Sequence, residues 1–208
     1  MSFDAQFVAG LGLLALLTIS PGPDMALVAA VARRSGRRAA FFTSLGISSG
    51  TFVHATASAL GLAAILATSA EAYTAVRLIG PLYLTYLGVR ELIASRHPVS
   101  ALPRAPRERG GRAGYLKGLL TNLLNPKVAV FYLTFLRQFI PPGDPVLARS
   151  LVFALSHDVM ALVWLTGYAY GVTRLPRVVE GARFRSWLDR ITGLVLVSLG
   201  VRIAIERR

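Results

Sequence analysis

Six long apolar stretches, at about residues 7–32, 39–68, 73–93, 115–136, 147–172 and 187–204, are separated by short segments rich in arginine. Each can cross a hydrocarbon core of about 30 Å, which takes roughly 20 residues of helix at 1.5 Å each. None alternates apolar and polar residues as the strands of a membrane barrel do over about ten residues. The pattern predicts an all-α membrane protein with six transmembrane helices and no soluble domain. The first stretch carries Asp4 where a signal peptide has a basic region, and it runs into Ser20-Pro21-Gly22-Pro23 rather than a small-residue cleavage site. It is expected to stay in the mature chain.

The polar interruptions recur along the chain. Pro21-Gly22-Pro23 breaks the first stretch and Asn125-Pro126 the fourth, about 105 residues apart, while His54 sits at the centre of the second and His157-Asp158 at the centre of the fifth, 103 to 104 residues apart. Three stretches lie on each side of a connection rich in Pro, Arg and Gly. Because three is odd, similar halves must enter the membrane in opposite senses. The expected organisation is a three-helix repeat over 1–94, a basic cytoplasmic linker over 95–112 and a second, inverted three-helix repeat over 113–208, with helices one and four broken.

Composition agrees with this pattern: 54% of residues are hydrophobic and 16% charged, against about 45–50% and 25% in ordinary soluble domains. A net charge of +13 would suit nucleic acid if it lay on one face. Here the arginines are confined to the gaps between apolar runs, which marks membrane topology, so no nucleic acid is expected. Arg33, Arg34, Arg37 and Arg38 follow the first stretch; Arg90, Arg96, Arg104, Arg107, Arg109, Arg112 and Lys117 surround the connection after the third; Arg174, Arg177, Arg183, Arg185 and Arg190 follow the fifth. The opposite side holds Arg77, Arg137, Arg149, Arg202, Arg207 and Arg208. This asymmetry places the N-terminus outside. Six crossings put the C-terminus outside as well, against Arg202, Arg207 and Arg208, whereas five crossings with one re-entrant stretch would place those arginines inside. With no cysteine and three histidines, neither a metal nor another cofactor is expected.

A proline inside a spanning helix frees backbone carbonyls, which must then line a cavity or be buried in protein. Pro21, Pro23 and Pro126 occupy matching places in the two halves, which favours a cavity over simple kinks. Asn125 reads as a helix cap with Pro126 at the first helical position. Lys127 then falls in the first turn, the wrong end of the dipole for a cation, and the bilayer centre adds about 2.5–3.5 kcal/mol. A carboxylate must offset both, from Asp24, from Asp158 or from a substrate; a purely structural ion pair is the plain alternative. Asp24 suits the N-terminus of the half-helix after Pro23 as well as it suits a ligand. Asp158, in mid-span, is functional or paired by default, and His54 is a candidate proton acceptor beside it. Gly46-Ile47-Ser48-Ser49-Gly50 matches the nucleophile elbow of serine hydrolases, but that motif needs a strand-to-helix turn. Gly46 and Gly50, like Gly114 and Gly118, read instead as a small-residue packing face. Tyr83, Tyr86, Tyr132, Trp164, Tyr168 and Tyr170 are expected in interfacial belts rather than around a cavity.

Ile19-Ser20-Pro21-Gly22-Pro23-Asp24 with the basic Arg33–Arg38 segment behind it, and Asn122-Leu123-Leu124-Asn125-Pro126-Lys127 followed by Phe131, resemble the lysine exporter (LysE/RhtB-type) family of amino-acid translocators over nearly the whole chain. The resemblance implies export of amino acids or related small metabolites from the bacterial cytoplasm through the inner membrane, driven by the proton gradient, and no enzymatic activity.

The expected site is a midplane cavity. Its wall is formed by Pro21, Gly22, Pro23, Asp24, Asn122, Asn125, Pro126 and Lys127; the lysine and half-helix N-termini hold the substrate carboxylate, and Asp24 and Asp158 the ammonium. Asp158 and His54 are the expected proton carriers. The expected partners are an amino-acid-like substrate, protons and the lipid bilayer; small-residue faces permit a homodimer. The rival readings are a metal-ion exporter of similar architecture, which the sparse ligand set disfavours, and an intramembrane serine hydrolase using Ser48.

Overall fold

The computed structural model describes residues 5–68, 70–96, 111–135, 139–140, 144–179 and 181–205. Most of the expected linker, at 97–110, lies outside the described residues, as do Asp4, Arg104, Arg107, Arg109, Arg137, Arg207 and Arg208. Among the described residues every regular element is a helix: α1 (Ala5–Ile19), α2 (Pro23–Thr68), α3 (Ala70–Ala94), α4 (Gly111–Leu123), α5 (Pro126–Phe135), α6 (Val146–Arg174), the short α7 (Pro176–Val179) and α8 (Ala182–Ile205).

The two interruptions expected in the first and fourth stretches are real breaks. Helix α1 stops at Ile19, and α2 resumes at Pro23, a residue whose missing N–H costs nothing in a first turn. Helix α4 stops at Leu123, and Asn125 caps α5 by accepting the Lys127 backbone N–H on Oδ1 at 3.1 Å. The arginine-rich segment 33–38, expected as a connection, is helical except at Gly36. There φ is +82° and ψ 175°, a left-handed conformation that glycine adopts without a Cβ clash. Residues 23–35 and 37–68 are therefore two helical segments joined at a kink. Both contribute to one apolar cluster with Leu165, Tyr168, Ala169 and Val172 of α6.

Helix α6 is by itself long and apolar enough to cross a bilayer, and Gln6–Ile19 with Pro23–Gly61 is so as one unit bent by 48° at the break. The faces of α6 are inverted relative to a water-soluble helix. Leu155, Val159 and Val163 on one stripe are 57%, 63% and 69% exposed, while Ser150, His157, Ala154 and Ala161 are buried. On this helix one aliphatic stripe faces outward while Ser150 and His157 face inward.

Glycines bring the helices together. A Cβ on Gly46 would lie 2.0 Å from the Tyr115 carbonyl oxygen, and one on Gly118 would lie 2.1 Å from that of Thr43, so α2 and α4 touch backbone to backbone. Helices α3 and α8 meet the same way: a Cβ on Gly88 would sit 2.7 Å from the Gly193 carbonyl oxygen. This is the close approach that small residues provide where lipid supplies no hydrophobic drive between helices. Arg149, near the start of α6, is buried. It pairs with Asp144 and lies 5.6 Å from the centre of the Phe7 ring.

Candidate functional site

The two helix breaks meet. Asn122, at the end of α4, donates its side-chain amide to Asp24 Oδ2 at 2.9 Å, and Asn125 donates to the same oxygen at 3.2 Å. In the other direction, the Lys127 ammonium reaches back to the break after α1. It donates to the carbonyl oxygens of Pro21 at 3.3 Å and Ser20 at 3.5 Å, and to the Ser20 hydroxyl. These carbonyls lie in the break, just past the negative C-terminal end of α1. A lysine placed at the unfavourable end of α5 is thus stabilised by the favourable end of another helix.

The direct ion-pair partner of Lys127 is Glu91 of α3, with 3.3 Å between Nζ and Oε1 and only 12% and 13% of the two side chains exposed. The sequence alone points to Asp24, Asp158 or a substrate carboxylate for this role. Asp24 is close enough to act on Lys127 electrostatically, but the ion pair itself is made by Glu91. An acid inside the third apolar stretch was the available signal, since such a residue needs a cation. Ser20 joins the cluster by donating its hydroxyl to Glu91 Oε1 at 3.3 Å. Asp189 of α8, also buried, is close enough to Glu91 to act on it electrostatically.

A cavity of about 40 Å³ opens where the breaks cross, with Ser20, Gly22, Asp24, Thr51, Asn122, Lys127 and His157 in its wall among apolar neighbours such as Ile47 and Val128. That volume holds a few water molecules, less than an amino acid occupies. Asp24 Oδ1 and Asn122 Oδ1 are buried with no hydrogen-bond partner. Buried acceptors left unmatched are costly, at roughly 1–3 kcal/mol each and more for a charge.

The remaining expected residues divide. His54 sits over the second break, its Nε2 3.1 Å from the Asn122 carbonyl oxygen; Pro126 accepts the Tyr83 hydroxyl on its own carbonyl at 3.1 Å. Asp158 is not in the cavity wall; its neighbour His157 is, and His157 Nδ1 lies 2.6 Å from the hydroxyl of Tyr132. Asp158 Oδ1 is likewise buried without a partner. The Ser48 hydroxyl donates to the Asp158 backbone carbonyl at 3.5 Å, within an unbroken run of helix. Among the described residues no group of three or more His, Cys, Asp or Glu is placed to hold a metal ion.

The tyrosines do not all form belts. Tyr132 and Tyr168 are buried, because Tyr132 is tied to His157 and Tyr168 stacks on Trp164 at 6.4 Å between ring centres. Tyr86 and Tyr170 are exposed, with Arg90 beside the first and Arg37 and Arg174 beside the second.

Comparison with known proteins adds a lineage. The chain is 34% identical to the threonine efflux protein of Escherichia coli (strain K12), over 91% of this chain and 92% of the relative. It is 28% identical to the homoserine/homoserine lactone efflux protein of Salmonella typhimurium, over 92% of each. It is also 26% identical to the uncharacterized membrane protein YrhP of Bacillus subtilis (strain 168), over 97% and 99%. No solved structure matches. The sequence fits the family described as LysE type translocator over residues 15–207. This membrane transporter therefore belongs to the LysE type translocator family.

Proposed function

We propose that the protein exports a small amino acid, of the size of threonine or homoserine, or a close derivative, across the bacterial inner membrane in exchange for protons. The observation that carries this reading is the pair of unmatched buried acceptors, Asp24 Oδ1 and Asn122 Oδ1, on residues lining the same small cavity as the Lys127 ammonium. A zwitterion supplies the missing donors with its ammonium and a partner for Lys127 with its carboxylate. Asn122 and Asn125 keep the Asp24 carboxylate oriented for that task.

Six crossings arranged as two inverted repeats, over 1–94 and 113–208 about a cytoplasmic linker, remain our reading of the architecture. Its supports are the matching breaks and the direct packing of α2 on α6 and of α3 on α8, elements that occupy equivalent places in the two halves. The cavity is too small for its substrate in this conformation, so loading requires one group of helices to move against the other. Asp158, with a buried unpartnered oxygen, carries the exchanged proton, and His54 on the second break assists it.

The test is efflux from proteoliposomes loaded with radiolabelled threonine or homoserine under an imposed pH gradient. The gradient should accelerate export by the unsubstituted protein, and Asp158→Asn should abolish that acceleration. Export indifferent to the gradient rules out antiport, and Asp158→Asn export that still follows it removes Asp158 from the coupling.

A further inference from the structure

Glu91 and Asp189 take no part in the cavity wall, yet they hold one of the residues that do. Lys127 faces two ways. Its ammonium borders the cavity and at the same time pairs with Glu91 at 3.3 Å behind it. The same oxygen, Glu91 Oε1, also accepts the Ser20 hydroxyl at 3.3 Å, and Asp189 of α8 is close enough to act on Glu91 electrostatically. Two carboxylates placed near one another repel when both are ionised, which makes a nearby cation more valuable to each. The charged groups facing this pair are Lys127 from α5 and Arg185 from α8, with Asp24 beyond the lysine. The Lys127 ammonium and the Glu91 carboxylate balance one another without a ligand.

We infer that Glu91 is a built-in counter-ion that occupies Lys127 in the empty transporter and is displaced by the carboxylate of an entering substrate. The inference rests on the assignment of Lys127 to the substrate carboxylate under the export reading above. Its chemical basis is exchange of like for like: a substrate carboxylate must compete with Glu91 for the same ammonium. A site whose competent form is only partly populated binds with an affinity reduced by that fraction. Glu91 therefore sets a threshold that a carboxylate-bearing ligand must overcome and that a ligand without a carboxylate does not meet at Lys127. The cluster also joins the two halves, Ser20 and Glu91 from the first and Lys127 and Asp189 from the second. Substrate entry would thus loosen a contact between the halves.

The experiment is equilibrium binding of L-threonine, L-homoserine and L-threoninamide to the purified protein in detergent. Glu91→Gln keeps the side-chain shape and removes the charge. It should tighten threonine and homoserine binding, on the order of tenfold if Glu91 holds Lys127 nine-tenths of the time, while leaving threoninamide unchanged. Unfolding temperatures establish that each variant is folded, and Glu91→Ala, which also removes the charge, serves if Glu91→Gln is not; the same tightening of threonine and homoserine binding is expected of it. Threonine binding that weakens or is unaltered in folded Glu91→Gln, while Lys127→Gln abolishes it, overturns the inference and leaves the export reading intact. Absence of threonine and homoserine binding by the unsubstituted protein, or binding indifferent to Lys127→Gln, overturns the assignment of the carboxylate to Lys127 and the Glu91 inference with it.

Discussion

Asn122 and Asp24, 98 positions apart in the chain, are joined by a hydrogen bond of 2.9 Å across two helix breaks. The bond links the last turn of α4 to the first turn of α2. It fixes one carboxylate oxygen and leaves the other, Oδ1, buried and unmatched.

Asp24→Asn should fold and reach the membrane but bind substrate poorly. An amide in place of the carboxylate removes the charge opposite the substrate ammonium, and hydrogen bonds to charged groups contribute about 1.5–3 kcal/mol. The expected loss is about 10- to 100-fold in apparent affinity, measured as the external or luminal threonine concentration giving half-maximal flux.

Asn125 has two separable duties, capping α5 and holding Asp24. Asn125→Ser keeps a cap oxygen for the Lys127 N–H and should lose little stability, whereas Asn125→Ala should lose about 1 kcal/mol. Both remove the amide that donates to Asp24, so both should weaken transport similarly. Thermal unfolding paired with flux measurements separates the two effects.

Lys127→Met strands Glu91 without its cation and should destabilise the protein by about 3 kcal/mol, the low end for breaking a buried pair. Adding Glu91→Leu should recover most of that stability and none of the transport. Recovery of transport in the double variant would show that Lys127 serves structure alone.

Gly46→Ala and Gly118→Ala place a methyl group about 2 Å from a backbone carbonyl, and neither helix can yield without losing its own hydrogen bonds. Each should cut the amount of folded protein in the membrane severely, with overpacking costs of at least 1–3 kcal/mol. Gly12→Ala and Gly167→Ala meet nothing within 4 Å and should be indistinguishable from the unsubstituted protein by fluorescence-detected size-exclusion chromatography.

What the sequence made legible is what local chemistry dictates. Pro21, Pro23 and Pro126 lack backbone donors, Asn125 caps, and glycines four apart form a flat face; each of these needs only its neighbours in the chain, and each appears in the structure where the sequence put it. The need of Lys127 for a carboxylate was equally plain. Its supplier was not, because Glu91 reaches it only through the packing of α3 on α5. The Tyr132–His157 bond, which takes Tyr132 out of any interfacial belt, likewise depends on α5 facing α6. The segment around Gly36 misled for the opposite reason: arginines are good helix formers, so a charged interval between apolar runs kept its helix except at the one residue without a Cβ.

The contact of Gly46 with the Tyr115 carbonyl oxygen, and of Gly118 with that of Thr43, constrains the motion that loads the cavity. Two rods interlocked at the level of their main chains cannot slide or part without first unlocking, so residues 37–68 and α4 travel as one piece. Since they come from opposite sides of the linker, the boundary between moving and stationary parts does not follow the midpoint of the chain. If the cavity loads by movement of helices, the hinges are expected where the chain is already bent, at Gly36 and at the two proline breaks.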